Sequence, residues 1–149
     1  MAISTSRDEV LITYSLGSCV GLTLFDPVAC VGGLIHCMLP LSRIDKAKAK
    51  ANPCMFTDTG VVLLLTEMLR AGASRENLIS KVAGAASVLD HKGLFKIGER
   101  NHTVLRRVLW KNNIMVAAED VGGTIARTVS LHMATGETYV KSQGKESLL

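Results

Sequence analysis

The stretch CVGLTLFDPVACVGGLIHCML, residues 19–39, predicts the β-hairpin on which the rest of the fold is built. In its first half, up to Phe25, larger apolar side chains alternate with other residues, which is typical of a strand. Asp26-Pro27 is a turn signal, and Cys30–Leu39 resumes as a second strand that Pro40 ends. In an antiparallel pair, the start of the first strand would lie beside the end of the second.

Further strands and two helices are predicted around this hairpin. They are a strand at Val10–Ser15, a polar surface loop over 41–55, a helix from Thr57 or Asp58 to about Arg70, a strand at Asn77–Ala85, a helix from about Gly98 to Lys111, and strands at Ile114–Ala118, Thr124–Met133 and Glu137–Lys141. Short turns between most strands favour an α+β fold with a largely antiparallel or mixed sheet. We expect a single domain over 1–149, with about nine frayed residues at each end.

Composition excludes several classes of protein. With 149 residues, 48% of them apolar and 20% charged, the chain is typical of one globular domain. Aromatic residues are scarce at 4%, and the 17 lysines and arginines are scattered, so we expect no nucleic-acid partner. No apolar run approaches the roughly 20 residues that a membrane helix needs. Asp8 and Glu9 are not followed by the apolar run of a secretory signal, so the expected compartment is the cytoplasm.

The four cysteines do not form a recognisable metal motif. They lie at positions 19, 30, 37 and 54 without a CxxC spacing. Cys30, Cys37 and Cys54 could join His36 as ligands on paper, but His36 and Cys37 are adjacent and would point to opposite faces of a strand. We therefore expect no metal and, in the cytoplasm, no disulfide.

The segment Leu16-Gly17-Ser18-Cys19 is the strongest candidate for chemistry. A thiol that projects from a tight turn can lie beside backbone N–H groups able to hold an oxyanion. Such a thiol needs a base, and His36 on the neighbouring strand could supply it. A hydroxyl from the first strand, where Thr13 and Ser15 share a face, or a backbone carbonyl could orient the imidazole.

Structural roles for these residues stay open on spacing alone. A buried cysteine is usually a small apolar residue, and a histidine in an apolar strand is often a hydrogen-bonded core residue. The other histidines are expected to be structural or exposed; they are His91, His102 and His132.

Five motifs together resemble the CheD family of chemoreceptor glutamine deamidases. They are LGSCV at 16–20, DP at 26–27, GGLIHCMLP at 32–40, IGERN at 97–101 and DVGG at 120–123 with Arg127, and the resemblance extends from about Val10 to Val140. It implies a Cys-His-Thr triad in which Cys19 is the nucleophile, His36 the base and Thr13 the third member. Ser18, in the same motif as the cysteine, would shape the oxyanion site. Ala83-Gly84-Ala85 departs from the Gly-Gly-Ala element that relatives tend to carry.

The resemblance also implies a fold and an activity. The fold would be similar to that of toxin deamidases, with stacked mixed or antiparallel β-sheets and flanking helices. The activity would be hydrolysis of glutamine side chains on methyl-accepting chemoreceptors through a cysteine thioester. The mechanism that the resemblance implies needs no organic cofactor. Two alternatives remain: a receptor glutamyl methylesterase, and a regulatory module that binds a CheC-type phosphatase of the response regulator.

Overall fold

The computed structural model describes residues 1–88 and 94–149, which contain nine strands and three α-helices. In chain order these are β1 (Ala2–Ser4), β2 (Val10–Leu16), β3 (Val20–Asp26), β4 (Val31–Cys37), α1 (Lys46–Ala51), α2 (Thr57–Arg70), β5 (Ile79–Gly84), α3 (Ile97–Lys111), β6 (Val116–Val121), β7 (Arg127–His132), β8 (Glu137–Ser142) and β9 (Lys145–Leu148). Short 3-10 turns occupy Ser42–Ile44, Pro53–Met55 and Arg75–Asn77. Within the described ranges, no helix combines the length and the apolar character needed to span a bilayer.

The predicted hairpin is confirmed as the antiparallel pair β3–β4. Val20 lies opposite Cys37, Gly21 opposite His36 and Asp26 opposite Val31, without a bulge. The hairpin is central in a five-stranded sheet with the order β1-β4-β3-β5-β6, in which only the β5–β6 pair is parallel. β2, β7, β8 and β9 form a second, antiparallel sheet.

The two sheets and the helices stack as layers around two apolar cores. One core joins the hairpin to the long helices, and it includes Leu22 of β3, Leu64 of α2 and Leu105 of α3. The other lies between the sheets and includes Leu34 of β4 and Leu131 of β7. The α+β fold with stacked mixed and antiparallel sheets and flanking helices is therefore confirmed.

The two adjacent glycines of β4 allow these layers to approach closely. A Cβ atom at Gly32 would overlap the sulfur of Met133, on the side of the second sheet. One at Gly33 would lie 2.8 Å from Leu64 Cδ1, on the side of the helices. Any larger side chain at either position would push one layer away from the central sheet.

The structure differs from the expectations at the 41–55 segment and at the chain ends. Residues 46–51 form the short helix α1, because alternating lysine and alanine have high helix propensity and Asp45 caps it by accepting the Lys48 N–H (3.0 Å). Both ends are paired rather than frayed: β1 pairs with β4, and β9 pairs with β8. Strand pairing supplies the backbone hydrogen bonds that a frayed end would leave to water.

Helix α2 begins at Thr57 as predicted, but no side chain caps it. The Asp58 carboxylate accepts from the backbone N–H and the hydroxyl of Ser42 instead, at 2.8 Å each. Thr57 is buried and bonds to helix α3, as described below. The side chains of Thr57 and Asp58, either of which could cap a helix that starts here, are therefore taken by contacts outside the helix.

Asp26 ties the hairpin turn to the segment after α2. Its fully buried carboxylate accepts the N–H groups of Val28 (2.8 Å), Ala29 (2.9 Å) and Ser74 (2.7 Å), and the Asn77 amide lies 3.5 Å away. Burial acts to raise the pKa of Asp26, but these hydrogen bonds outweigh it and lower the pKa below its ordinary value of 3.8. The charged form is therefore the one that the fold favours.

Replacing Asp26 with alanine is expected to lower the free energy of unfolding by about 2–4 kcal/mol, because buried N–H groups lose their charged acceptor. Since the folded-state pKa is lowered, the stabilisation is present above pH 3.8 and is lost as the pH falls through the lower, folded-state value. Urea titrations of the wild type and of Asp26→Ala at several pH values measure this. Asp8→Ala, at an exposed position, serves as the control. A difference that is small at neutral pH, or that grows on acidification, would contradict the assignment.

Candidate active site

A hydrogen bond between the two sheets orients the candidate base. Thr13 Oγ1 of β2 lies 3.0 Å from His36 Nδ1 of β4. A hydroxyl can accept a hydrogen bond from a protonated Nδ1 or donate one to an unprotonated Nδ1. The contact therefore restrains the ring in either neutral tautomer. When Nδ1 carries the hydrogen, Nε2 is the nitrogen that can accept a proton. Of the orienting groups that the sequence left open, the Thr13 hydroxyl is the one in contact with His36.

A β-bulge places Thr13 and Leu16 on the inner side of β2. Thr13 lies opposite Val129 and Leu16 opposite Arg127, so β2 has an extra residue between these pairs. Ser15 takes a left-handed conformation (φ 58°) and is exposed. The prediction that Ser15 shares the face of Thr13 is therefore wrong, because the bulge breaks the two-residue alternation.

The turn that carries Cys19 is held by the segment after β5. The Ala85 N–H donates to the Cys19 carbonyl (2.7 Å), and the Ala86 N–H donates to the Gly17 carbonyl (2.8 Å). The Cys19 side chain is half-buried and packs against the core between the sheets. The backbone on both sides of Ser18 is thereby held in place.

Cys19 and His36 lie on the same side of the central sheet. Because Gly21 is opposite His36 and Val20 is opposite Cys37, Cys19 stands diagonally across from His36. The structure describes both residues, and no hydrogen bond joins the thiol to the imidazole. The intervening glycine has no side chain, and Leu16 fills the space: a Cβ at Gly21 would lie 2.7 Å from Leu16 Cδ1.

Two surface clefts adjoin these residues. A cleft of about 570 Å³ contains Cys19, and its walls include Val88, Phe95, Ile97 and Ala126. A smaller cleft of about 260 Å³ contains both Thr13 and His36. Cys19 therefore lines the larger, mainly apolar cleft, and the Thr13–His36 pair lines the second one.

Burial sets the protonation states of the pair. Burial raises the pKa of the Cys19 thiol above 9.0, and its own backbone N–H opposes that shift. Burial lowers the pKa of His36 below 6.5, and the positive amino group of Met1 adds to the effect. Near pH 7 the resting site therefore holds a neutral thiol and a neutral imidazole, the state in which the imidazole can act as a base.

Asn101 of α3, the last residue of the IGERN motif, contacts the backbone close to both candidate residues, a role that the sequence did not predict. Its side-chain amide donates to the Ser18 carbonyl (2.9 Å) and the Met38 carbonyl (3.0 Å). The side chain is fully buried on the face of α3 that includes Val104 and Leu105. A polar residue at an otherwise apolar helical position was the available signal. Ser18 itself is half-buried, one residue before the thiol.

The DVGG motif and Arg127 support one wall of the larger cleft. Gly122 and Gly123 take positive φ angles, 79° and 67°. Arg127 bonds to the Asp120 carboxylate (2.7 Å) and the Gly122 carbonyl (2.9 Å), and the Gly123 carbonyl accepts the Ser87 N–H (2.8 Å). Because Ser87 lines the cleft, these contacts hold its rim.

The remaining histidines and cysteines lie in other surroundings. His102 is 2.9 Å from Glu119, and His132 contacts the Tyr139 ring edge-on at a centroid distance of 4.9 Å. His91 is outside the described residues. All four cysteines are free thiols, and burial raises the pKa of Cys37 to about 12. Among the residues that the structure describes, no three His, Cys, Asp or Glu side chains gather as metal ligands.

Comparison with known proteins assigns the family. A family model described as CheD chemotactic sensory transduction matches residues 38–142, which is more than half of the chain. This chain belongs to the CheD family. The expected family membership is thereby confirmed.

Named relatives cover nearly the whole CheD-family chain. A protein of Solibacter usitatus named "Probable chemoreceptor glutamine deamidase CheD" is 46% identical over 147 residues, 99% of this chain and 87% of the relative. A Syntrophus aciditrophicus protein named "Probable chemoreceptor glutamine deamidase CheD 1" is 45% identical, covering 95% of this chain and 89% of the relative. A Pyrococcus horikoshii protein with the same name as the first is 41% identical, covering 91% and 85%.

Proposed function

We propose that this chain hydrolyses glutamine side chains of methyl-accepting chemoreceptors to glutamate, with Cys19 as nucleophile, His36 as base and Thr13 as the residue that orients His36. The observation that carries the proposal is the Thr13–His36 hydrogen bond, on the sheet face that also carries the Cys19 thiol, in a CheD-family chain. The names of the relatives support the substrate. The reaction belongs in the cytoplasm, where thiols stay reduced.

The first half-reaction forms a thioester. His36 Nε2 takes the proton from the Cys19 sulfur, and the thiolate attacks the Cδ carbon of the glutamine side chain. The carbonyl electrons move to oxygen, giving a tetrahedral oxyanion. When this intermediate collapses, the C–N bond breaks, and the imidazolium proton passes to the leaving nitrogen, which departs as ammonia.

The second half-reaction releases glutamate. Neutral His36 takes a proton from water as the water oxygen attacks the thioester carbon. The C–S bond then breaks, and the proton held by His36 returns to the Cys19 sulfur. The atoms balance as glutamine plus water giving glutamate plus ammonia, and these steps call on no metal or organic cofactor.

The backbone N–H groups of Ser18 and Cys19 would stabilise the oxyanion, because the Gly17 N–H already donates to the Ser15 carbonyl (2.9 Å). The Cys19 N–H lies beside its own sulfur, so it would be near the carbonyl group that the thiolate attacks. Ser18 would shape this site through its backbone, because the contact of Asn101 with the Ser18 carbonyl sets the orientation of the Ser18–Cys19 peptide.

The mechanism requires the Cys19 side chain to rotate toward His36 and the Leu16 side chain, which fills the space beside Gly21, to give way. Hydrogen bonds at active sites often tighten only when substrate binds. In the larger cleft, Phe95 and Ile97 would contact the aliphatic part of the receptor segment beside the target glutamine.

The decisive experiment is incubation of a receptor cytoplasmic fragment with this protein. We expect a mass increase of about one dalton at each converted glutamine, together with one ammonia per site. Methylated receptor tested in parallel separates the alternatives, since a methylesterase would release methanol. Binding of a CheC-type phosphatase without any conversion of the receptor would instead favour the regulatory module and would overturn the proposal.

Replacing Thr13 with valine is expected to lower kcat by about 100-fold, because a freely rotating imidazole seldom points Nε2 at the thiol. Thr13→Ser keeps the hydroxyl and should retain most of the activity. The measurement is the initial rate of receptor deamidation at saturating substrate, with Thr5→Val at an exposed position as control. Equal rates for Thr13→Val and wild type would remove Thr13 from the mechanism.

A further inference from the structure

The β3–β4 ladder includes His36 but stops one residue short of Cys19. Its last pair is Val20 with Cys37, and beyond it the N–H groups of Met38 and Leu39 turn away to the Met55 carbonyl, at 2.9 and 3.0 Å. Cys19 therefore lies one residue outside the paired region. Strand pairing alone does not set the distance between the thiol turn and the end of β4.

The amide of Asn101 bridges this unpaired gap. One contact goes to the carbonyl of Ser18, one residue before Cys19, and the other to the carbonyl of Met38, two residues after His36. A primary amide has two N–H donors, and here each of the two carbonyls lies within hydrogen-bonding distance of its nitrogen. The two chain segments that carry the candidate nucleophile and base are thus held by one side chain.

Thr57 fixes the orientation of that amide. Its hydroxyl lies 3.0 Å from Asn101 Oδ1 and 3.1 Å from the Leu39 carbonyl, which also accepts the Thr57 backbone N–H at 2.7 Å. Both Thr57 and Asn101 are completely buried. An Asn101 side chain flipped by 180° would turn its oxygen toward two carbonyl acceptors and its nitrogen toward the hydroxyl, losing both bridging bonds.

We propose that Asn101 is a positioning residue that sets the separation between Cys19 and His36, and that Thr57 orients it. The inference rests on the proposed function, since it assigns a geometric requirement to the same thiol–imidazole pair. Because these two side chains are diagonal neighbours without a direct hydrogen bond, a small shift of either backbone segment changes whether they can meet. The bridge therefore acts on the catalytic rate rather than on substrate binding.

The test uses two sets of variants of the full chain. Asn101→Ala removes the bridge, and Thr57→Val removes only the hydroxyl that orients it. Thr57→Ser restores that hydroxyl. Thr66→Val is the matched control on the same helix, because the Thr66 hydroxyl bonds to Val62 of its own helix at 2.9 Å.

Two readouts separate positioning from stability. The first is kcat and KM for receptor deamidation, measured well below the melting temperature of each variant. The second is the rate of Cys19 alkylation by iodoacetamide against pH, followed by mass spectrometry of the Cys19 peptide, which needs no receptor. His36→Asn defines the profile of the thiol without its base.

For Asn101→Ala and Thr57→Val we expect kcat to fall by about 10- to 100-fold with little change in KM. Their alkylation profiles should move toward that of His36→Asn, while Thr57→Ser and Thr66→Val stay near wild type. If Asn101→Ala does not fold, the kcat and the alkylation profile of Thr57→Val decide whether the positioning role holds. Folded variants with wild-type kcat and a wild-type profile would overturn the positioning role.

The alkylation readout also distinguishes this inference from the proposed function. A wild-type profile that does not depend on His36 would refute the thiol–imidazole pair itself. A profile that depends on His36 but not on Asn101 or Thr57 would refute the positioning role alone. A His36-dependent profile in a protein that does not deamidate receptors would leave the pair in place and refute the substrate.

Discussion

Cys19→Ala is expected to abolish glutamine deamidation, with a loss of about four orders of magnitude or more, because no other group supplies the attacking atom. The fold should survive, since Cys19 is half-buried and the turn around it is held by backbone hydrogen bonds from Ala85 and Ala86. The measurement is the mass change of receptor peptides, with circular dichroism and urea unfolding of the variant alongside.

A matched control comes from the other thiols. Cys30 is half-buried like Cys19 but lies in the turn of the hairpin, where its sulfur contacts Arg7 at 2.9 Å. Cys30→Ala should keep wild-type activity. Acid quenching during turnover should also trap a receptor adduct on Cys19 in wild type. Receptor conversion by Cys19→Ala at more than background rate would show that the thiol is not the nucleophile.

His36→Asn is expected to cause the second large loss, of about three orders of magnitude, because the thiol loses its base and the leaving nitrogen its acid. The pH profile of the wild type carries the same information. A protonated His36 cannot accept the thiol proton, so kcat/KM falls as the pH drops through the His36 pKa. Since burial and the Met1 amino group lower that pKa, the acid limb should lie below pH 6.5.

The alkaline limb of the kcat/KM profile reports the ionisation of the Cys19 thiol. Burial raises the pKa of this thiol, so kcat/KM should not decline until the pH exceeds 9.0. His132→Asn is the control, because His132 contacts Tyr139 and its substitution should leave both limbs in place. An acid limb well above pH 6.5, or wild-type activity in His36→Asn, would contradict the role given to the imidazole.

The hairpin was the part of the fold most open to prediction. Alternating apolar residues, the Asp26-Pro27 turn and Pro40 act over a few residues, so they define the two strands locally. The same pattern predicts that residue 19 lies near residue 36, and the register places Gly21, two residues after Cys19, opposite His36. Helix α1 was missed because its six residues form a surface helix without an apolar face.

The third member of the site illustrates the limit of local patterns. Thr13 and Ser15 are equivalent in a regular strand, and only the bulge in β2 turns Thr13 inward and Ser15 outward. The bulge arises where β2 pairs with β7, more than 100 residues along the chain. The resemblance to the CheD family named Thr13 where the residue pattern left the choice open.

The amino-acid sequence by itself determined which reactive groups are available and which short segments present them: a thiol after a Gly-Ser turn, an imidazole on the returning strand, and hydroxyls upstream. Tertiary structure alone decided that Thr13 meets His36 between two sheets, and that Asn101 reaches the Ser18 carbonyl from a helix 83 residues away. The physical reason is the separation along the chain over which each kind of interaction acts. Backbone propensities act between near neighbours, whereas contacts between layers depend on how two apolar cores pack.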